Sequence, residues 1–451
     1  MASENMYSLA EFFCGCGGFS RGFESTGAFE TVLGNDLKGE ALTTFKHNHS
    51  CSSGRPAILR GDIRKLALDE IDKSLADRGV AELDCLIGGP PCQGFSQLRR
   101  SERREDGEIV EFGGYNRLAK DPRNDLVLRF LDIAQHLRPR FIVIENVPQM
   151  MSHTFEGVEG GLADAIIDFL ETDMGYTASA HILNAANYGV PQLRERAFFF
   201  ACRDGNKRPS PPQQTHFDSA SLFGSTNWNT VRDAIGDLPS PPGRKDSLGG
   251  GSPKLYRSTD SKYARSMQSS EAFPFNHTKR SYSDRINGII EEMRPGETWD
   301  HASERMRNEY SDIISGESND DETREETIER LAKQGIIKKA FYKSYYWSAY
   351  SRLAWGEPAL TITANANFLG SGRFTHPEEN RGISVREAAR LQSFDDDFKF
   401  LTTEGDETDT ERMGVGLDMI GEAVPPLLGK AIGEMVLERL EQIENQRNVA
   451  A

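Results

Sequence analysis

The sequence predicts an α/β protein: a doubly wound, mostly parallel sheet, with a second, smaller and irregular domain. Two observations predict the sheet. Short apolar runs of strand length recur through roughly the first 200 residues, and longer segments with helical spacing separate them. A third observation predicts the second domain. Near residue 204 the alternation stops, and Pro, Gly and Ser become frequent.

The strands are read in order as SLAEFF (8–13), TVLGND (31–36), AILRGDI (57–63), DCLIGG (84–89), RFIVIEN (140–146) and RAFFFAC (196–202). Runs this apolar suit strands covered on both faces. Between them, DLVLRFLDIAQHL places Leu126, Phe130, Ile133, Ala134 and Leu137 on one helical face. GLADAIIDFLE does the same with Leu162, Ile166, Phe169 and Leu170. In sheets of this kind ligands sit at the carboxyl ends of the strands.

Beyond residue 204, RPSPPQQ and LPSPPGRKDSLGGGSP read as linker and loop. Residues 309–329 are strongly acidic and predict a solvated helix or loop. Residues 331–356 are the reverse, with five basic residues, no acidic ones and seven aromatics. The segment MIGEAVPPLLGKAIGEMVLERLEQIE predicts a loop feeding a closing amphipathic helix.

Composition narrows the class. A chain of 451 residues exceeds one ordinary core. No run of eighteen apolar residues occurs, so no membrane span is expected. The start, MASENMYSLAEFF, lacks a basic n-region and a long apolar run, so no secretory signal is expected. The six cysteines form no disulfide framework, which points to a reduced, cytoplasmic setting. A net charge of −16 excludes uniform attraction to nucleic acid or an anionic membrane but leaves room for a local basic face.

Candidate site residues cluster at strand ends. After the first run, Gly15, Gly17 and Gly18 let the backbone approach a ligand and turn into a helix. The spacing departs from G-x-G-x-x-G, and no phosphate-loop Lys follows. Asp36 ends the second run and Asp62 the third. A carboxylate at the end of strand two is where doubly wound folds bind a ribose hydroxyl. Together they favour an adenosine-containing cofactor, although either Asp alone would serve as a helix cap. Cys14 and Cys16 form C-x-C, and His47, His49 and Cys51 lie close together, but no second pair completes a metal site, so no metal is expected.

Cys92 follows the fourth run in LDCLIGGPPCQGFSQ. Pro90 and Pro91 fix φ and remove two amide donors, so the thiol is held stiffly at the carboxyl edge of the sheet. A buried structural cysteine has no need of such a turn. Glu145 and Asn146 end the next run, where a carboxylate is costly unless it is paired or used. Burial raises a carboxyl pKa and lets it donate a proton near neutrality. Arg194 and Arg196 precede the sixth run and, by alternation, share a side. They suit either a strand-end salt bridge or contact with a carbonyl or phosphate.

These residues carry a resemblance. Phe12 to Gly18, Pro90 to Ser96, Glu145-Asn146-Val147 and Gln192 to Arg196 resemble, in order, the motifs of the DNA (cytosine-5)-methyltransferases. RLAWGEPALTIT (352–363) and HPEENRGISVREAARLQSF (376–394) resemble that family's ninth motif, and GEAVPPLLGKAIGE (421–434) its tenth. The unmatched stretch, residues 205–350, corresponds to the variable target-recognition region. One departure stands out: the tenth motif commonly begins Gly-Asn, whereas this chain has Gly421-Glu422.

The resemblance implies a Rossmann-like S-adenosylmethionine-dependent fold. It divides the chain into a catalytic domain (1–204), a small target-recognition domain including the ninth motif (205–410), and a segment returning to the catalytic domain (411–451). It implies Cys92 as nucleophile, Glu145 at the base's ring nitrogen 3 and exocyclic amine, and Arg196, with Arg194, at the base carbonyl. Phe13, Gly15, Gly17, Gly18, Asp36, Asp62, Ile63 and Pro91 would form the site for S-adenosyl-L-methionine, and the Pro90 carbonyl would meet the cytosine amine. Gln93, Ser96 and Arg99 would contact DNA, in a loop rich in Arg99, Arg100, Arg103 and Arg104 that closes over it. Lys338, Lys339 and Lys343 would hold phosphates. The implied partner is double-stranded DNA, and the implied enzyme is a cytoplasmic monomer, either a restriction–modification enzyme with a cognate endonuclease as functional partner or an orphan modification enzyme, with no stable protein partner. Two other readings stay open: an RNA cytosine methyltransferase, and a catalytically inert DNA-binding relative. The long recognition region weighs against the first, and the intact Cys92, Glu145 and Arg196 against the second.

Overall fold

The computed structural model describes residues 6–91, 102–103, 109–110, 125–152, 161–218, 226–243, 255–271, 274–319, 321–403 and 412–450. Its centre is a seven-stranded sheet. The strands are β1 (Tyr7–Phe12), β2 (Phe29–Asp36), β3 (Ala57–Arg60), β4 (Cys85–Gly88), β5 (Phe141–Asn146), β6 (Thr177–Asn184) and β7 (Glu195–Cys202). Their spatial order is β3-β2-β1-β4-β5-β7-β6. The first five run parallel, and β7 is antiparallel to both β5 and β6. The order reverses between β1 and β4, the switch point at which such sheets open a crevice.

Period-2 alternation explains why the central strands are apolar throughout. Along β5, Ile142 and Ile144 join the core on one face, and Phe141 and Val143 the core on the other. All four are fully buried. Each contributes about 1.5–3 kcal/mol relative to exposure. The first face is covered by α3 (Leu68–Ala76), by α4 (Asp125–Leu137) through Phe130 and Ile133, and by α5 (Gly161–Asp168) through Ile166. The other face is covered by α1 (Gly18–Glu24) and by the closing helix Pro426–Ala450 through Leu428, Ile432 and Val436. These two helices touch backbone to backbone. A side chain at Gly22 would come within 2.6 Å of the Gly429 Cα.

A second core is built mainly from residues between Val231 and Ile420, with Cys16 and Ala41 joining it from the sheet domain. It includes the helix Trp299–Glu317, whose Trp299 ring stacks on Phe341 at 5.2 Å. The expected linker is only partly that. Residues 209–215 carry no regular structure, but Val231–Ile235 is a helix with a Thr230/Asp233 capping box and a buried face. The acidic stretch closes one helix and opens another, Arg324–Lys333, where Glu322 holds Arg330 at 2.8 Å. The aromatic segment at 331–356 is largely core: Phe341, Tyr350 and Leu353 are buried.

The ninth-motif residues form a scaffold around the helix Val385–Leu391. Arg390 pairs with Asp396 at 2.6 Å, Arg381 pairs with Glu387 at 2.7 Å, and Arg386 donates to the carbonyls of Phe275, Asp395 and Phe398. Buried charges persist only when their hydrogen-bonding capacity is met, and here it is. No described helix is long and apolar enough to cross a membrane.

Candidate active site

The carboxyl ends of β1 to β5 converge on a cavity of about 520 Å³. Because β7 is antiparallel, its first residues reach the same edge: Ala197 pairs with Asn146 and Phe198 with Glu145. This topology gathers residues far apart in sequence, including Phe13, Gly15, Asp36, Asp62, Pro90 and Glu145, around one space.

On the β1 side, Phe13 and Gly15 both have positive φ, 56° and 54°, and Gly17 has φ 91°. Gly17 lies so close to His49 that a Cβ would overlap its ring. A Cβ on Gly18 would stand 2.5 Å from the Val424 carbonyl oxygen. The Asp36 carboxylate accepts the Gly15 N–H at 2.9 Å and the Lys38 N–H at 2.8 Å. It therefore shapes the glycine loop as well as facing the cavity. Asp62 caps the turn after β3 and receives Arg64, whose hydrogen bonds hold its carboxyl below the usual range. Ile63 is buried in the same wall. Two carboxylates beside a side-chain-free loop, in a space of this size, fit an adenosyl cofactor.

Glu11, unmarked in the sequence reading, lies beneath this loop. It is buried, accepts the Ser20 N–H at 3.2 Å, and is pushed up to about 8 by that burial. A lone carboxylate inside the apolar run SLAEFF was the available signal. Lys38 and Glu422 meet at 2.6 Å across the cavity mouth, so the residue that departs from the family pattern has an ion-pair partner.

On the β4 and β5 side, Glu145 Oε1 lies 3.1 Å from Arg196 Nε. Desolvation pushes the Glu145 carboxyl up, against the pull of Arg196 and Arg194. A Cβ on Gly89 would sit 3.0 Å from Glu145 Oε2, so the turn lies closely against the carboxylate. Asn146 Nδ2 donates to the Pro90 carbonyl at 2.9 Å, and its Oδ1 accepts the Val147 N–H at 2.9 Å. This side chain ties the proline turn to β5. Pro91 lines the cavity. Cys92, Gln93, Ser96 and Arg99 lie outside the described residues, as does most of the arginine-rich loop.

Two groups of expected site residues have other partners in the structure. Arg194, read as catalytic, is fully buried and donates to the carbonyls of Ile362, Gly421 and Ala423 at 2.9–3.1 Å. Its two Nη atoms join the ninth- and tenth-motif segments to the sheet edge, helped by Gln192, which bonds Leu391, Gln392 and Ile362, and the residue also lines the cavity beside Glu145. Lys338 and Lys339, read as phosphate contacts, pair with carboxylates: Lys338 with Glu291 and Glu292, Lys339 with Glu329. The partners of Lys338 lie on the helix Asp284–Glu292, and that of Lys339 on Arg324–Lys333. Lys343 is exposed. Among the described residues no cluster of three or more His, Cys, Asp or Glu side chains could hold a metal. Cys14 and Cys16 are buried, and His49 pairs with Glu24 at 2.9 Å.

The family model for C-5 cytosine-specific DNA methylases matches residues 7–438. The chain belongs to that family. This methylase is 30% identical over 471 residues to the type II methyltransferase M.AgeI of Thalassovita gelatinovora, a match covering 94% of this chain and 98% of that one. It is 30% identical to the type II methyltransferase M1.HphI of Haemophilus parahaemolyticus over 428 residues, covering 95% and 86% of the two chains. Among solved structures, a putative DNA modification methyltransferase encoded within an E. coli prophage superposes with a TM-score of 0.60 at 20% identity, covering 96% of this chain and 99% of that one. That likeness supports the fold. The methylase is thus an α/β methyltransferase with a mostly parallel sheet.

Proposed function

We propose that this methylase acts on carbon 5 of a cytosine flipped out of double-stranded DNA at a specific sequence, with S-adenosyl-L-methionine as methyl donor. The observation that carries this reading is Glu145, held by Arg196 and packed against the Gly89–Pro91 turn that leads directly into Cys92. Phe13, Asp36, Asp62, Ile63 and the loop of Gly15, Gly17 and Gly18 would hold the donor, which when bound supplies an electrophilic methyl group.

The protein's own part follows from the chemistry of cytosine. Carbon 5 is a poor nucleophile until a nucleophile adds at carbon 6. The Cys92 thiolate forms that bond, and Glu145 places a proton on ring nitrogen 3, so the ring carries no uncompensated negative charge. Burial that raises the Glu145 pKa favours the form able to donate. Arg196 steers the carboxylate and reaches the base carbonyl. Asn146 fixes the Pro90 turn, and so the approach of the thiol. At the end a water takes the carbon 5 proton, the thiolate leaves carbon 6, and the proton on nitrogen 3 returns to the Glu145 carboxylate, which restores the ring. A base inside a duplex cannot be approached on its face, so it must be flipped.

The reading extends to a type II modification enzyme, monomeric and cytoplasmic, protecting DNA from a cognate restriction endonuclease. Bisulfite sequencing of DNA from cells expressing the chain tests it. One sequence context should resist conversion. Conversion at every site, with methylated cytosine found in RNA instead, would overturn it.

A further inference from the structure

A DNA-binding chain with net charge −16 must gather its cations somewhere, and Lys338 and Lys339 are spent on glutamates. A different cleft is lined by cationic side chains. It measures about 630 Å³ and opens beside helix Gly39–Asn48 and β3, next to the cofactor cavity. Gly39 and Arg60 line it, and their chain neighbours Lys38 and Gly61 line the cavity.

Arg55, Arg60 and Arg78 converge on this cleft. None of the described residues lining it is acidic. Arg55 Nη1 donates to the carbonyls of Lys46, His47 and His49, and Arg78 Nε donates to the Arg55 carbonyl. These bonds fix two guanidinium groups in place without neutralising them. Arg60 is exposed, and its guanidinium lies over Gly39, where a Cβ would stand 2.9 Å from it. Among the described residues these three like charges have no carboxylate partner; like charges repel, and an anion placed among them relieves the repulsion. Guanidinium groups match phosphate oxygens bidentately.

We propose that the Arg55–Arg60–Arg78 cleft is a second DNA contact, holding backbone phosphates of the duplex that flanks the methylated site. The proposal rests on the DNA-methylating reading of the neighbouring cavity. The ligand chemistry is phosphate. DNA is the source favoured here because the cleft is an open face on an enzyme whose substrate is a polyphosphate chain.

The test compares a short duplex spanning only the methylated site with one extended on both sides, each titrated over a range of salt. The proteins are the parent, Arg60→Gln, Arg60→Lys and the Arg60→Gln/Arg78→Gln double variant. The parent should bind the extended duplex more tightly and with a steeper salt dependence. The double variant should lose roughly two units of that slope, about one per phosphate contact. Arg60→Lys should keep the parent slope, and all four proteins should methylate the short duplex alike. Equal slopes for parent and double variant on the extended duplex would overturn the proposal. So would a tripolyphosphate-binding signal that the double variant loses while the DNA slopes stay equal, since the site would then serve a free phosphate compound. Failure of the parent to methylate the short duplex strikes the activity reading instead, and the slopes still decide the cleft.

Discussion

Arg196 Nε and Glu145 Oε1 stand 3.1 Å apart at the junction of β5 and β7, two strands that run in opposite directions. The antiparallel pairing brings the start of one strand to the end of the other, so this ion pair joins the two strands at the edge of the cavity. The pull of Arg196 does not cancel the effect of burial, and the Glu145 carboxyl remains raised.

Glu145→Gln should therefore slow turnover by roughly 10²- to 10⁴-fold, the usual worth of positioned acid–base help. The amide keeps the shape and cannot deliver the proton. Cofactor and DNA affinities, read by calorimetry, should stay near those of the parent. A variant with parental turnover would remove Glu145 from the chemistry.

Asn146→Ala releases the Pro90 carbonyl and the cap on Val147. A reacting group misplaced by about 1 Å can cost on the order of 10²-fold. The expected signature is a lower kcat with unchanged cofactor affinity. If kcat holds and only the melting temperature falls, Asn146 does nothing beyond stabilising the turn.

Arg194→Met should destabilise the fold rather than only the chemistry. It removes the Arg194 donor from the carbonyls of Ile362 and Gly421, at about 1–3 kcal/mol for each buried group left unpaired, while the Ala423 carbonyl keeps Gln392 Nε2 at 2.7 Å. Removing a buried charge offsets part of this loss, because its desolvation cost also disappears. Scanning calorimetry should record a clear fall in Tm, with Arg194→Lys intermediate. An unchanged Tm would refute the tethering role.

Glu11 gives a pH dependence with a definite sign. Its pKa rises from the ordinary 4.5 to about 8 in the fold, because burial disfavours the charged form. The folded chain therefore holds a proton that the unfolded chain releases, and stability falls as pH rises through that window. Glu11→Gln keeps an acceptor for the Ser20 N–H and cannot ionise. Its Tm should match the parent near pH 4.5 and exceed it near pH 8. A constant difference across that range would contradict the assignment.

The contrast between Glu145 and Arg194 shows where a sequence is legible. The apolar runs FIVI and AFFF announce buried strands, because only a two-sided core needs them, and a carboxylate ending one run invites a role. β6 was not read, because its sequence TASAHILN mixes polar with apolar residues, as suits a strand at the sheet edge. Arg194 looked like Arg196 because alternation gives the side of a strand but not the partner. Its partners come from residues 362, 421 and 423, and only the tertiary fold brings them there. The carboxylate partners of Lys338 and Lys339 lie on two helices distant in sequence, Asp284–Glu292 and Arg324–Lys333, so the run of lysines alone does not show them. Glu11 and Asn146 act on the backbone beside the site, a role that residue type alone does not reveal.

The central claim is that Cys92 attacks the base, and one measurement tests it most directly. Duplex DNA carrying 5-fluorocytosine at the methylated position is incubated with enzyme and S-adenosyl-L-methionine, then run on a denaturing gel. Fluorine cannot leave as a proton does, so the Cys92 bond to carbon 6 should be stranded. The parent should give a denaturation-resistant protein–DNA adduct. Cys92→Ser should give none, since an alcohol supplies too little anion at neutral pH. An adduct that persists in Cys92→Ser, or its absence from a parent that methylates the same site, would contradict the account.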